Sequence, residues 1–162
     1  LTAPVPEENL VLNPSFEAGE GDTFTSWSKS GVGEGYPGNL IEQDLTDYSD
    51  GQRAAKITNG MTSAPALYQY VPVTVGASYE VSFWGHSSAV DGIRLRVTGY
   101  IGGTVATDLV PRTTFGLGDS VWRRYARTFT VPPNYTHAKI IISSVINQGI
   151  VWIDNVRLRR IA

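Results

Sequence analysis

From residue 53 onward, apolar and polar residues alternate with a period of two. Residues 78–87 show it most clearly, with Tyr79, Val81 and Phe83 on one side and Glu80, Ser82, Trp84 and His86 on the other. Residues 93–101 repeat the pattern: Ile93, Leu95 and Val97 face in, while Arg94, Arg96, Thr98 and Tyr100 face out. Gly102-Gly103 is a hairpin signal into a strand over 104–110. Further strands are predicted over 53–58, 66–73, 122–131 (closed by Pro132-Pro133), 138–146 and 149–159. No stretch sustains a helical period. Eight or more short strands separated by turn signals predict an all-β, two-sheet antiparallel β-sandwich of jelly-roll type.

The first third of the chain is less regular. Residues 9–19 predict a short apolar strand that ends at Asn13-Pro14, because proline has no amide donor and restricts the residue before it. Phe16 then turns inward and Glu17 is left at the strand end. Residues 20–50 form a glycine-rich loop region in which Trp27 and Tyr36 are either plugs over the core or exposed platforms. The Gly31, Gly33 and Gly35 spacing suggests a phosphate loop, but no helix follows to supply amides. Trp152, on the side of Val156 and Leu158, is expected in the core, and Trp122 at an edge.

Composition narrows the function. The 162 residues, 41% hydrophobic and 17% charged, suit one domain with a full core, expected over 9–162. Residues 1–8, with two prolines and two acids, suit a linker or attachment arm. The formal net charge of -2 gives no nucleic-acid footprint. With no cysteine there is no disulfide scaffold and no thiolate metal site, and two histidines, His86 and His137, make no histidine metal cluster. No apolar run reaches the roughly 18 residues of a membrane span, and no basic-then-apolar leader opens the chain.

The ordered motifs NLVLNPSFEAG with Trp27 after it, LYQYVPV, GASYEVSFWG, VWRRYARTFTVPP and VWIDNVRL cover residues 9–158. Together they resemble the carbohydrate-binding modules of families 4, 9, 16 and 22. The resemblance implies a jelly roll that binds polysaccharide without catalysis, is attached to a glycoside hydrolase and holds a structural calcium. Glu17 and Asp154 match its calcium acids, with Asp50 and carbonyls over 50–56 completing the shell. Calcium's need for six to eight hard oxygens suits this set. Otherwise Asp154 caps a strand end and Glu17 is solvated.

Sugar binding calls for aromatic faces and planar hydrogen-bonding groups on a preformed surface. Trp84 and His86 share one strand face, and Arg94, Arg96 and Tyr100 repeat on the next. If those strands pair, all five form one surface. Gln69, beside Tyr68, matches a glutamine of the family pattern, and Trp27 matches a loop platform. The arginine pair hints at an acidic sugar or a phosphate, against the alternative of a solvated face. Glycosidic hydrolysis needs two carboxylates about 5 to 9 Å apart across the sugar. The best acid pair is taken by the calcium assignment, so no catalysis is expected. An extracellular module of a larger polypeptide is expected. The alternative is a structural or adhesive decoration or tail module of a bacteriophage virion, because fold does not determine function.

Overall fold

The computed structural model describes residues 8–60, 63–145 and 149–162. Ten strands make two five-stranded sheets in which every pairing is antiparallel. They are β1 (Ser28–Ser30), β2 (Leu40–Asp44), β3 (Ala54–Thr58), β4 (Ala66–Pro72), β5 (Ser78–Ser87), β6 (Val90–Ile101), β7 (Thr104–Leu117), β8 (Arg123–Thr130), β9 (His137–Ser144) and β10 (Ile150–Arg160). The front sheet runs β1-β4-β9-β6-β7 and the back sheet β2-β3-β10-β5-β8. There are no helices among the described residues and neither sheet closes into a barrel, so the fold is the expected β-sandwich.

The inner faces form the core. Leu67, Leu95, Val97, Ile140 and Ile142 from the front sheet meet Ile57, Val81, Phe83, Ile153 and Leu158 from the back, all nearly inaccessible to water. Burying each such side chain contributes about 1.5–3 kcal/mol. Consequently the outer faces carry whatever the core does not need. Pro111 is tolerated inside β7 because β7 is an edge strand.

Three expectations change. Residues 9–19 do not form a strand. Asn13 and Phe16 take positive φ (49° and 59°), which no ladder accommodates. The segment instead follows β10 through Asn9, whose amide donates to the Val156 carbonyl (3.1 Å) and accepts from Leu158 N–H (3.0 Å), and through Leu10 N–H to the Leu158 carbonyl (2.9 Å). Two short strands, β1 and β2, emerge from the stretch read as loop. Their partners β4 and β3 supply ladders that local sequence cannot announce.

The third change concerns Trp152. The β10 register shifts between Asp154 and Arg157, with Asn155 at φ 47°. An extra residue in one strand reverses the inside-outside parity. Trp152 and Asp154 therefore share the outer face, whereas Val156 and Leu158 point into the core. The expected linker falls, except for Glu8, outside the described residues, as does residue 146 at the end of a predicted strand.

Candidate functional site

The surface expected to unite Trp84, His86, Arg94, Arg96 and Tyr100 does not exist. β5 and β6 are consecutive in sequence but belong to opposite sheets, so their outward residues face away from each other. Arg94, Arg96 and Tyr100 lie on the front sheet, and Trp84 and His86 on the back.

On the front sheet the pairings β4-β9-β6-β7 place residues in rows. Tyr68 pairs with Ile141 and Ile141 with Arg96, while Tyr70 pairs with Lys139 and Lys139 with Thr98. His137 pairs with Tyr100. The rings of Tyr68 and Tyr70 meet edge to face at 6.0 Å, and those of Tyr70 and Tyr100 at 5.3 Å. Lys139 Nζ sits 4.3 Å from the Tyr68 ring centre and 5.4 Å from that of Tyr70, a favourable cation-π arrangement. Tyr70 is 50% exposed. A cavity of about 340 Å³ opens beside it, lined by Tyr70, Tyr100, Gly102, Gly103 and His137. Burial, followed by the hydrogen bond and proximity to Tyr70, raises the Tyr100 hydroxyl above its ordinary pKa. Tyr100 therefore stays neutral and able to donate a hydrogen bond.

Tyr70, Lys139 and His137 were not among the expected binding residues. The structure sets all three on the outer face, but nothing in the chain said that β4, β9 and β6 are neighbours.

The back sheet's outer face is covered around His86 and Trp152. The loop between β2 and β3 crosses it and is tied down by acids. Asp44 accepts from Trp152 Nε1 (2.9 Å), and Asp47 accepts from Trp122 Nε1 (2.8 Å) and bonds His86 Nε2 (2.8 Å). His86 stacks on Trp152 with centroids 4.4 Å apart and is only 3% exposed. Hydrogen bonds outweigh the cost of partial burial and hold Asp44 down at about 2. Trp84 is half-buried on this face, in register with Asp154 and Arg124.

Two further expected sugar contacts are committed to structure. Gln69 is 6% exposed, and its amide holds the Leu12 backbone and the Ser26 carbonyl. Trp27, 8% exposed, packs on Phe16 at 5.1 Å and donates to the Asn13 carbonyl. It is a plug and offers no platform. Tyr36 is half-buried in the β1-β2 connection and makes no ring contact with the front tyrosines among the described residues.

Glu17 and Asp154 grip the same segment, residues 49–53. Glu17 Oε1 accepts from the N–H groups of Gln52 (2.9 Å) and Arg53 (3.2 Å). Asp154 Oδ2 accepts from those of Ser49 (2.9 Å) and Asp50 (2.8 Å). Gly51, at φ 69°, leaves room for the Glu17 carboxylate, which a Cβ there would strike. Asp154 is fully buried with no cationic partner among the described residues, and burial, with a smaller push from Asp50, raises it to about 6 despite three backbone hydrogen bonds. Its oxygens accept from backbone N–H groups of Ser49, Asp50 and Asn155. Asp50 itself accepts the Ser15 hydroxyl. Among the described residues, no three acids or histidines converge, so the two carboxylates would need carbonyl oxygens to fill a shell.

The front face, with three linked tyrosines beside a cavity, can be set against known proteins. The chain is similar in fold to a xylan-binding CBM22-1 domain of Paenibacillus barcinonensis Xyn10C (14% identity, TM-score 0.66, covering 98% of this chain and 97% of that one). It is likewise similar to TmCBM61, solved with β-1,4-galactotriose (19%, 0.64, 95% and 99%). Another similar fold lies in the enzymatically active domain of bacteriophage CBA120 tailspike protein 4 (18%, 0.71), where the match covers 94% of this chain and 21% of the tailspike chain. A comparison with curated proteins finds no match. A family model described as a carbohydrate binding domain matches residues 8–146, most of the chain, and the protein therefore belongs to that family, CBM 4/9.

Proposed function

We propose that the protein is a non-catalytic module that binds polysaccharide on the outer face of its front sheet and directs an attached enzyme to it, outside the cell. The observation that carries this reading is the chain of rings Tyr68, Tyr70 and Tyr100, bridged by Lys139 and open to a cavity. Aromatic faces with nearby polar groups suit stacking on a sugar ring while its hydroxyls are hydrogen-bonded. The back sheet is the poorer candidate, because its own loop lies over His86 and Trp152.

Affinity electrophoresis through xylan, β-1,4-galactan, β-glucan and polygalacturonate tests the reading. Retention on at least one polymer is expected, weakened tenfold or more by Tyr70→Ala and Tyr100→Ala. Passage of the folded protein through every gel without retention overturns it. A second reading, a component of a phage particle, is favoured by the likeness to the tailspike domain. Virion genes beside the coding sequence, in place of a hydrolase domain, would select it.

We further propose that calcium, when bound, adds charge compensation at Asp154. Asp154 and Glu17 would hold it, together with carbonyl oxygens of the 49–53 region. This role is structural, since the clasp lies on the covered back-sheet side.

A further inference from the structure

The front face also has a charge pattern. Arg94, Arg96 and Arg112 gather at one end of the tyrosine row. Arg94 and Arg96 are successive outward residues of β6, in register with Ser143 and Ile141 of β9. Arg112 comes from β7, between the Thr113–Leu95 and Val110–Val97 pairs. Arg96 Nε is held by Asp108 at 2.8 Å, and Thr98 also donates to that carboxylate. Among the described residues Arg94 and Arg112 have no carboxylate partner, and Lys139 meets the Tyr68 and Tyr70 rings without an acid. In the rows from Arg94 to Tyr100, Asp108 is the one acid set against three arginines and a lysine. Burial, and then the charges of Arg112 and Arg96, pull the Arg94 pKa down.

On the back sheet several arginines are paired with acids. There Glu80 joins Arg124 (2.7 Å) and Arg159 (3.1 Å), and Asp119 joins Arg123. The front cluster lacks that balance although the chain as a whole is net negative. Unpaired guanidiniums on a rigid sheet are preorganised for planar oxyanions, which they bind bidentately. The six residue steps from Arg94 to Tyr100 span roughly 20 Å of strand, room for an extended glycan to touch both ends.

We infer that the glycan bound on this face is anionic, its sugar rings lying along Tyr68, Tyr70 and Tyr100 while carboxylate or sulfate groups pair with Arg94, Arg112 and Arg96. This inference rests on the proposed front-face binding and names its ligand class. Lys139, between the tyrosines and the arginines, extends the positive strip toward the cavity. Neutral polymers would satisfy the tyrosines but leave the arginine cluster without a counter-charge.

The test titrates the full chain with polygalacturonate (carboxylate), dextran sulfate (sulfate) and uncharged xylan and β-1,4-galactan, at 50 and 500 mM salt. Binding to one of the charged polymers is expected, and the stronger of the two identifies the oxyanion. The double variant Arg94→Gln/Arg112→Gln should weaken it about tenfold or more, as loss of charge-assisted hydrogen bonds does, and high salt should weaken it as well. Arg160→Gln, on the back sheet, should change nothing. Equal losses with Arg160→Gln would mean unspecific attraction and overturn the inference. Retention on uncharged polymers only, sensitive to Tyr70→Ala but not to the arginine variant, overturns the anionic assignment and leaves the tyrosine platform standing. No retention on any polymer removes the platform and this inference together.

Discussion

Gln69 holds Leu12 at both ends of its amide: Oε1 accepts the Leu12 N–H at 2.8 Å and Nε2 donates to the Leu12 carbonyl at 3.0 Å. The pair imitates a strand pairing where the backbone forms none, and it seats residues 9–14 beside β4. Gln69→Leu removes three partly buried hydrogen bonds, to Leu12 and Ser26, at about 1 kcal/mol each. A fall in melting temperature of about 4–10 °C is expected, with glycan affinity unchanged. A loss of affinity with unchanged melting would place Gln69 in the binding site instead.

The back and front faces should separate cleanly in mutagenesis. Trp84→Ala, on the outer face of the back sheet, is expected to leave polysaccharide affinity within twofold, while Tyr70→Ala reduces it tenfold or more. Isothermal titration of both variants decides this, and the reverse order would move the binding site to the back sheet.

Asp47 ties the β2-β3 loop to both His86 and Trp122. Asp47→Ala leaves two ring N–H or nitrogen groups without partners, which costs about 1–3 kcal/mol. Faster proteolysis within residues 44–53, together with a lower melting temperature, is the expected outcome. Unchanged cleavage would show that the other anchors hold the loop alone.

Asp154 sets a pH dependence. Its folded pKa of about 6 exceeds the ordinary 3.8. Between those values the native state keeps a proton that the unfolded chain has released, so its contribution to stability falls as pH rises from about 4 to 6. Calcium favours the ionised carboxylate and works in the opposite direction. Saturating calcium should raise the melting temperature by about 5–10 °C at pH 7.5, and by less at pH 5. Asp154→Asn should abolish the calcium effect. Identical melting curves in calcium and in chelator at pH 7.5 would dismiss the metal.

Much of the fold was legible because alternation is a local property. Residues 78–87 and 93–101 showed which side chains point inward, and the structure places Val81, Phe83, Leu95 and Val97 in the core as that pattern requires. Where parity depended on a bulge, it misled: Asn155 adopts a positive φ, and the extra residue carried Trp152 out of the core. Trp27 and Gln69 look like binding residues in the chain, since an indole or an amide is drawn the same way whether it meets a sugar or a backbone.

The sequence by itself determined the class of fold, the inward and outward sets of β5 and β6, and the family likeness that points to polysaccharide. Tertiary structure alone decided which outward sets share a surface. A strand's side-chain direction follows from its own pleat, but its neighbours follow from pairing with distant segments. Thus β5 and β6, adjacent in sequence, part to opposite sheets, and β4, β9 and β6 come together to set Tyr68, Tyr70, Lys139 and Tyr100 on one face. The same long-range pairing brings Glu17 and Asp154, 137 positions apart, onto a single loop.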